Sequence, residues 1–164
     1  MGVGVSKENS YPNQLALLSG LTVVNAGVSG EVTEDGLPHF EKMLRSEQPD
    51  LIILLEGGND ILRNMPFNRI KSNLQKMIRL AADRQIPLIL IGVPKKSLFS
   101  SAASFYAELA GEHQLIFDDE TISSLLKKSS MKSDQVHFNE KGYQYLANEI
   151  YQLIVENGGL SDRG

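Results

Sequence analysis

The strongest constraint on the fold is a series of short apolar runs, rich in Val, Ile and Leu, that show no polar alternation. They are Leu21-Thr-Val-Val-Asn25, Leu51-Ile-Ile-Leu-Leu55, Pro87-Leu-Ile-Leu-Ile-Gly92 and the shorter Leu115-Ile-Phe117. A strand that is apolar on both faces must be covered on both faces, which is the situation in a parallel sheet. The segments between the runs carry helix periodicity. Phe67, Ile70, Leu74, Met77, Ile78 and Ala81 recur at three- and four-residue steps and make one apolar stripe. Tyr143, Leu146, Ala147, Ile150, Leu153 and Ile154 do the same near the end, with Asn139 placed to cap that helix and Asn157-Gly158-Gly159 to stop it. Gln14–Leu18, Leu37–Arg45 and Ser101–Ala110 read as shorter helices. Helices alternating with four strands predict an α/β fold, a three-layer αβα sandwich with right-handed crossovers. The 164 residues suffice for one domain, expected over 1–157, with a flexible tail over 158–164. The opening is unusual, because a loop and then a helix precede the first apolar run.

Composition narrows the function. The net charge is −4, and the 16 Lys and Arg are scattered, with only the short Lys95-Lys96 and Lys127-Lys128 pairs. A nucleic-acid partner is not expected from so little basic clustering. Cysteine is absent, which removes disulfides, a thiol nucleophile and a cysteine metal cage. No apolar run reaches the ~18 residues of a membrane span. No signal peptide is visible, and the localisation is left open between cytoplasm and export.

In open α/β sheets, ligands sit beyond the carboxyl ends of the strands. Three loops there carry chemistry-bearing residues. One is Ser133-Asp-Gln-Val-His137-Phe138-Asn139. A three-residue spacing lets Asp134 meet His137, fixing the tautomer and leaving the other ring nitrogen as a general base. The same spacing also fits a simple capping turn with a surface histidine. His39 and His113 lack comparable neighbours and read as surface residues. The second loop is Glu56-Gly-Gly-Asn-Asp60, where Asn59 could donate to a developing oxyanion, or merely cap a turn. The third is Asn25-Ala-Gly-Val-Ser-Gly30, whose Gly27 and Gly30 offer backbone N–H donors or only a turn.

Taken in order, these three loops resemble the SGNH (GDSL) hydrolases over most of the chain, about residues 2–156. Gly30-Glu-Val-Thr33 and Gly57-Gly-Asn-Asp-Ile-Leu-Arg63 look most like the branch of arylesterases, acyl thioesterases and lysophospholipases. The resemblance implies a flavodoxin-like parallel sheet and a serine ester hydrolase that needs no cofactor or metal. It implies Gly30 and Asn59 in the oxyanion hole, His137 as general base and acid, and Asp134 orienting it. The substrate would be a small ester, thioester or lysophospholipid.

Two departures stand out. Phe138 follows the histidine where the family often has Pro, which would alter loop stiffness only. The Gly-Asp-Ser block that carries the family's nucleophile is absent. Ser6, Ser10 and Ser29 do not follow a strand as that serine should. If Met1-Gly2 match the end of the family's first motif, the serine and the first central strand belong just before Met1. The chain is then expected to be inactive or crippled. The gap in its sheet could reflect truncation, be filled by a second copy, or be avoided by a rearranged strand order; an exposed gap would favour self-association. The alternative is a non-catalytic protein that holds acyl chains or glycans on a hydrolase fold. A receiver-like module is rejected, since no acidic pair follows a first strand.

Overall fold

The computed structural model describes residues 3–95 and 102–159. Lys96, Ser101 and most of the expected tail lie outside the described residues. The chain gathers into two compact units, Gly30–Ser123 and, separately, Met1–Ser29 with Ser124–Gly164.

The unit Gly30–Ser123 holds a parallel sheet of three strands: β1 (Ile52–Leu54), β2 (Leu88–Ile91) and β3 (Ile116–Asp118), in that spatial order. Ile52 pairs with Leu88, and Ile89 with Ile116. β2 is buried at all four positions, as its unbroken apolar run requires. Helices α2 (Thr33–Glu47), α3 (Gly58–Leu62), α4 (Phe67–Ala82) and α5 (Ser104–His113) complete this unit. Ile70, Leu74, Met77, Ile78 and Ala81 of α4 all face the core, and they meet Leu44 of α2, Leu54 of β1 and Tyr106 of α5 there. Two of these helices run past their expected limits: α2 begins at Thr33 and α5 ends at His113. Both end on a glutamine in the left-handed region, Gln48 (φ 47°) and Gln114 (φ 53°), and Gln85 (φ 58°) turns the chain after α4 in the same way.

The other unit contains α1 (Tyr11–Ser19) packed on α7 (Glu140–Glu156). Single 3-10 turns occupy Lys7–Asn9 and Ser129–Met131, and α6 (Thr121–Lys127) runs across the boundary between the units. The expected cap of the last helix is present: Asn139 Oδ1 accepts from the N–H of Gly142 at 3.1 Å.

One expected strand is absent. Leu21–Asn25 takes up no ladder with any described residue, and Val24 is 54% exposed. Its composition suits a strand, but strand structure exists only through a hydrogen-bonded neighbour. Without a neighbouring strand among the described residues, the run stays irregular.

Candidate active site

The Asp134–His137 loop is built by local bonds. Asp134 Oδ1 accepts from the backbone N–H groups of Val136 and His137, both at 2.8 Å. Its Oδ2 lies 2.7 Å from His137 Nδ1. The carboxylate therefore ties its own turn and orients the ring in one step. The hydrogen bond from His137 and the two backbone N–H groups hold Asp134 down to about 2, from an ordinary value of 3.8. With Nδ1 donating to Asp134, Nε2 is the ring nitrogen left to accept a proton. Both side chains stay open to solvent, at 38% for His137 and 55% for Asp134.

The frame around this loop is tight. Ser133 N–H donates to His137 O at 3.0 Å and closes the turn. Asn139 donates from its amide to Ser130 O and Lys132 O. Phe138, the residue that replaces the family's Pro, is buried and meets Tyr143 edge-on at 5.6 Å. Tyr143 in turn donates its hydroxyl to Val3 O at 3.0 Å. Gly142 allows the first turn of α7 to approach so closely, because a Cβ there would collide with Met131 O.

In the unit Gly30–Ser123, the loop after β1 meets the start of α2. Asn59 donates its amide to Glu31 O at 2.9 Å, and Arg63 donates to Gly30 O at 2.9 Å. An amide nitrogen carries two hydrogens, so the bond to Glu31 fixes the Asn59 side chain and leaves a second N–H to donate. Between these two tethers, Asp60 is wholly buried and accepts from Thr33 N–H at 2.9 Å and Thr33 Oγ1 at 2.7 Å. The turn that launches α3 depends on Gly57, whose φ is +95° and whose absent Cβ would lie 2.5 Å from Tyr106 Oη. That buried phenol donates to Glu56 O at 2.6 Å. Burial, and then the nearby Glu31 carboxylate, push the Glu56 carboxyl up to about 7.

The predicted residues thus fall into two groups. Asp134 and His137 meet in one unit; Gly30 and Asn59 are tied into one pair of loops in the other. Gly27 only closes a turn, donating to Asn25 Oδ1 at 3.2 Å. Two histidines need correction. His39 Nδ1 lies 3.3 Å from Glu31 Oε2, so it has a carboxylate neighbour after all. His113 is half-buried, and its Nε2 is buried with no hydrogen-bond partner among the described residues, so it is not a plain surface residue. Ser10 is buried and spends its hydroxyl on Lys7 O, while Ser6 and Ser29 are exposed. None of the three follows a described strand. Thr33, Arg63, Asn73 and Tyr106 were missed at the sequence level. Their partners lie far away in sequence, and only the Thr33 and Arg63 positions inside the recognised motifs hinted at them. Among the described residues, no group of three or more His, Asp or Glu is placed to hold a metal ion.

The parallel α/β sheet and the order of the three loop motifs fit one class of protein, the SGNH-type ester hydrolases. Comparison with known proteins agrees. The model of the GDSL-like lipase/acylhydrolase family matches residues 2–145. An arylesterase of Vibrio mimicus is 30% identical over 161 residues, covering 92% of this chain and 80% of that protein. Thioesterase 1/protease 1/lysophospholipase L1 of Escherichia coli is 27% identical over 135 residues, covering 77% of this chain and 64% of the relative. The crystal structure of a psychrotrophic esterase, EstA, from Pseudoalteromonas shares the fold, with a TM-score of 0.83 at 20% identity over 96% of this chain and 92% of its own. The chain belongs to the GDSL-like lipase/acylhydrolase family.

Proposed function

We propose that these residues supply the acid–base pair and the anion donors for acyl transfer from small esters, with aryl, thio and lysophospholipid esters as the substrate range. His137 Nε2 takes the proton of an attacking serine hydroxyl and returns it to the leaving group. Asp134 holds the ring and stabilises the imidazolium. The N–H of Gly30 and the free amide hydrogen of Asn59 bind the oxyanion of the tetrahedral intermediate. Water then repeats the sequence on the acyl-enzyme. The observation that carries this reading is the 2.7 Å contact between Asp134 Oδ2 and His137 Nδ1.

Residues 1–164 contain no Gly-Asp-Ser block. Acting alone they are expected to turn over p-nitrophenyl esters weakly, at the residual ~10³–10⁴-fold over water that a site retains without a triad member. Fusing a Gly-Asp-Ser-Ile-Thr strand ahead of Val3 should raise turnover well beyond that, and His137→Ala should abolish the gain. A folded fusion that stays inert, yet is stabilised by acyl ligands, would replace this reading with the non-catalytic binding protein. Strong, phosphonate-sensitive turnover by residues 1–164 alone would put the nucleophile among their own serines. The outer edge of β1, which no described strand pairs, also supports self-association through a second copy, which light scattering of the purified chain would detect as a dimer.

A further inference from the structure

The Thr33–Asp60–Asn73 cluster sets a carboxylate in the interior of the fold. Asp60 and Thr33 are both fully buried, and burying a carboxylate is unfavourable unless its oxygens are well bonded. Both oxygens of Asp60 are used on one residue: Thr33 N–H reaches Oδ2 at 2.9 Å and Oδ1 at 3.2 Å, and Thr33 Oγ1 donates to Oδ1 at 2.7 Å. Asn73, from α4, donates to the same hydroxyl at 3.1 Å, which sets its direction toward Asp60. α2 needs this help, because its own capping residue, Val32, has no side-chain acceptor. Asp60 caps the helix from 27 residues away.

The cap sits between the two other tethers. Asn59, Asp60 and Arg63 of one segment bond to Glu31, Thr33 and Gly30 of the other. A shift of the α2 start relative to α3 would therefore move the Gly30 N–H and the Asn59 amide apart, although one oxygen must accept from both. We infer that Thr33, Asp60 and Asn73 are positioning residues that hold these two donors in register. This inference rests on the oxyanion-hole reading above. They act through Gly30 and Asn59 and touch no reacting atom. A preorganised donor pair of this kind gains from rigid, fully bonded support.

The test uses the isotope-labelled chain and nuclear magnetic resonance. Thr33→Val keeps the shape and removes the hydroxyl; Thr33→Ser restores it. In Thr33→Val the Gly30 amide and both Asn59 side-chain amide signals should move, and exchange of the residue-33 amide should quicken roughly tenfold. Signals of His137 should stay in place, and Thr33→Ser should recover the native pattern. Should Thr33→Val fail to fold, Asn73→Leu cuts the relay while leaving the Asp60–Thr33 pair, and should displace the same signals less. Lowered melting temperature with Gly30 and Asn59 signals unmoved would overturn the inference and leave the cluster a mere stabiliser. If those signals do move, but Asn59→Ala leaves the turnover of the serine-bearing fusion intact, the oxyanion-hole reading fails and the positioning role falls with it.

Discussion

The two groups of predicted residues are built by opposite means. The Asp134–His137 pair stands in solvent and is held by bonds within five residues of chain. The Asn59–Asp60 segment is held by a buried carboxylate and by partners 27 and 28 residues away. A base must exchange protons with water and a leaving group, so exposure suits it. Anion donors gain from small motion, so a buried, fully bonded carboxylate next in the chain suits Asn59, which is itself half-buried, and the exposed Gly30. The contrast teaches that, on the proposed roles, disrupting Asp134–His137 should impair chemistry with little loss of stability, whereas disrupting the Asn59–Asp60 segment should harm both.

That contrast is most exposed at Asp60. Asp60→Ala leaves the N–H and hydroxyl of Thr33 buried without an acceptor, and should cost about 3 kcal/mol in denaturant unfolding. An equal loss in Asp134→Ala would erase the distinction. Next comes Glu56. Its carboxyl titrates near 7 in the fold against 4.5 when unperturbed, so the fold favours the protonated form. The stability this brings is complete below pH 4.5 and is lost as pH rises through 7, by at most about 3 kcal/mol. Unfolding measured from pH 4 to 8 should show the slope, and Glu56→Gln should flatten it. A flat wild-type profile would mean that the carboxyl is better hydrated than its burial suggests. Tyr106→Phe removes the donor to Glu56 O and should cost about 1 kcal/mol. In the same variant the Asn59 side-chain signals test whether the Gly57 turn also steers that residue.

The smallest effect belongs to the exposed pair. Asp134 titrates near 2 in the fold against 3.8 unperturbed, so its contribution is present above pH 3.8 and fades as pH falls toward 2. Solvent screens an exposed pair. The difference in melting temperature between wild type and Asp134→Asn should therefore be slight at pH 7 and vanish near pH 2. The Nδ1 proton signal of His137 should nonetheless change sharply, since its acceptor has lost its charge. A large change in melting temperature would show that the loop is a structural pillar.

What could be read in advance follows the same division. The Asp134–His137 contact was legible because both partners sit on one turn. The stripe of α4 and the cap at Asn139 were legible for the same reason. Leu21–Asn25 was misread because apolar composition reports a capacity for pairing and says nothing of whether a partner is there. The true start of α2 was invisible for a related cause: Val32 is a poor cap, and the acceptor that replaces it comes from another element. The family motifs pointed to Gly30 and Asn59 as donors, but nothing near either residue announced Asn73, which lies 40 residues from the threonine it binds.

Gln48, Gln85 and Gln114 each hold a backbone geometry that a residue with a Cβ adopts reluctantly, at about 1 kcal/mol apiece. The native chain stores that energy at helix ends and a turn that lie outside the three loops proposed to carry the chemistry. Glycine at these three places would release it, partly offset by the greater freedom of the unfolded chain. The scaffold thus has room to be made hardier for use at elevated temperature without altering any residue proposed to take part in the reaction.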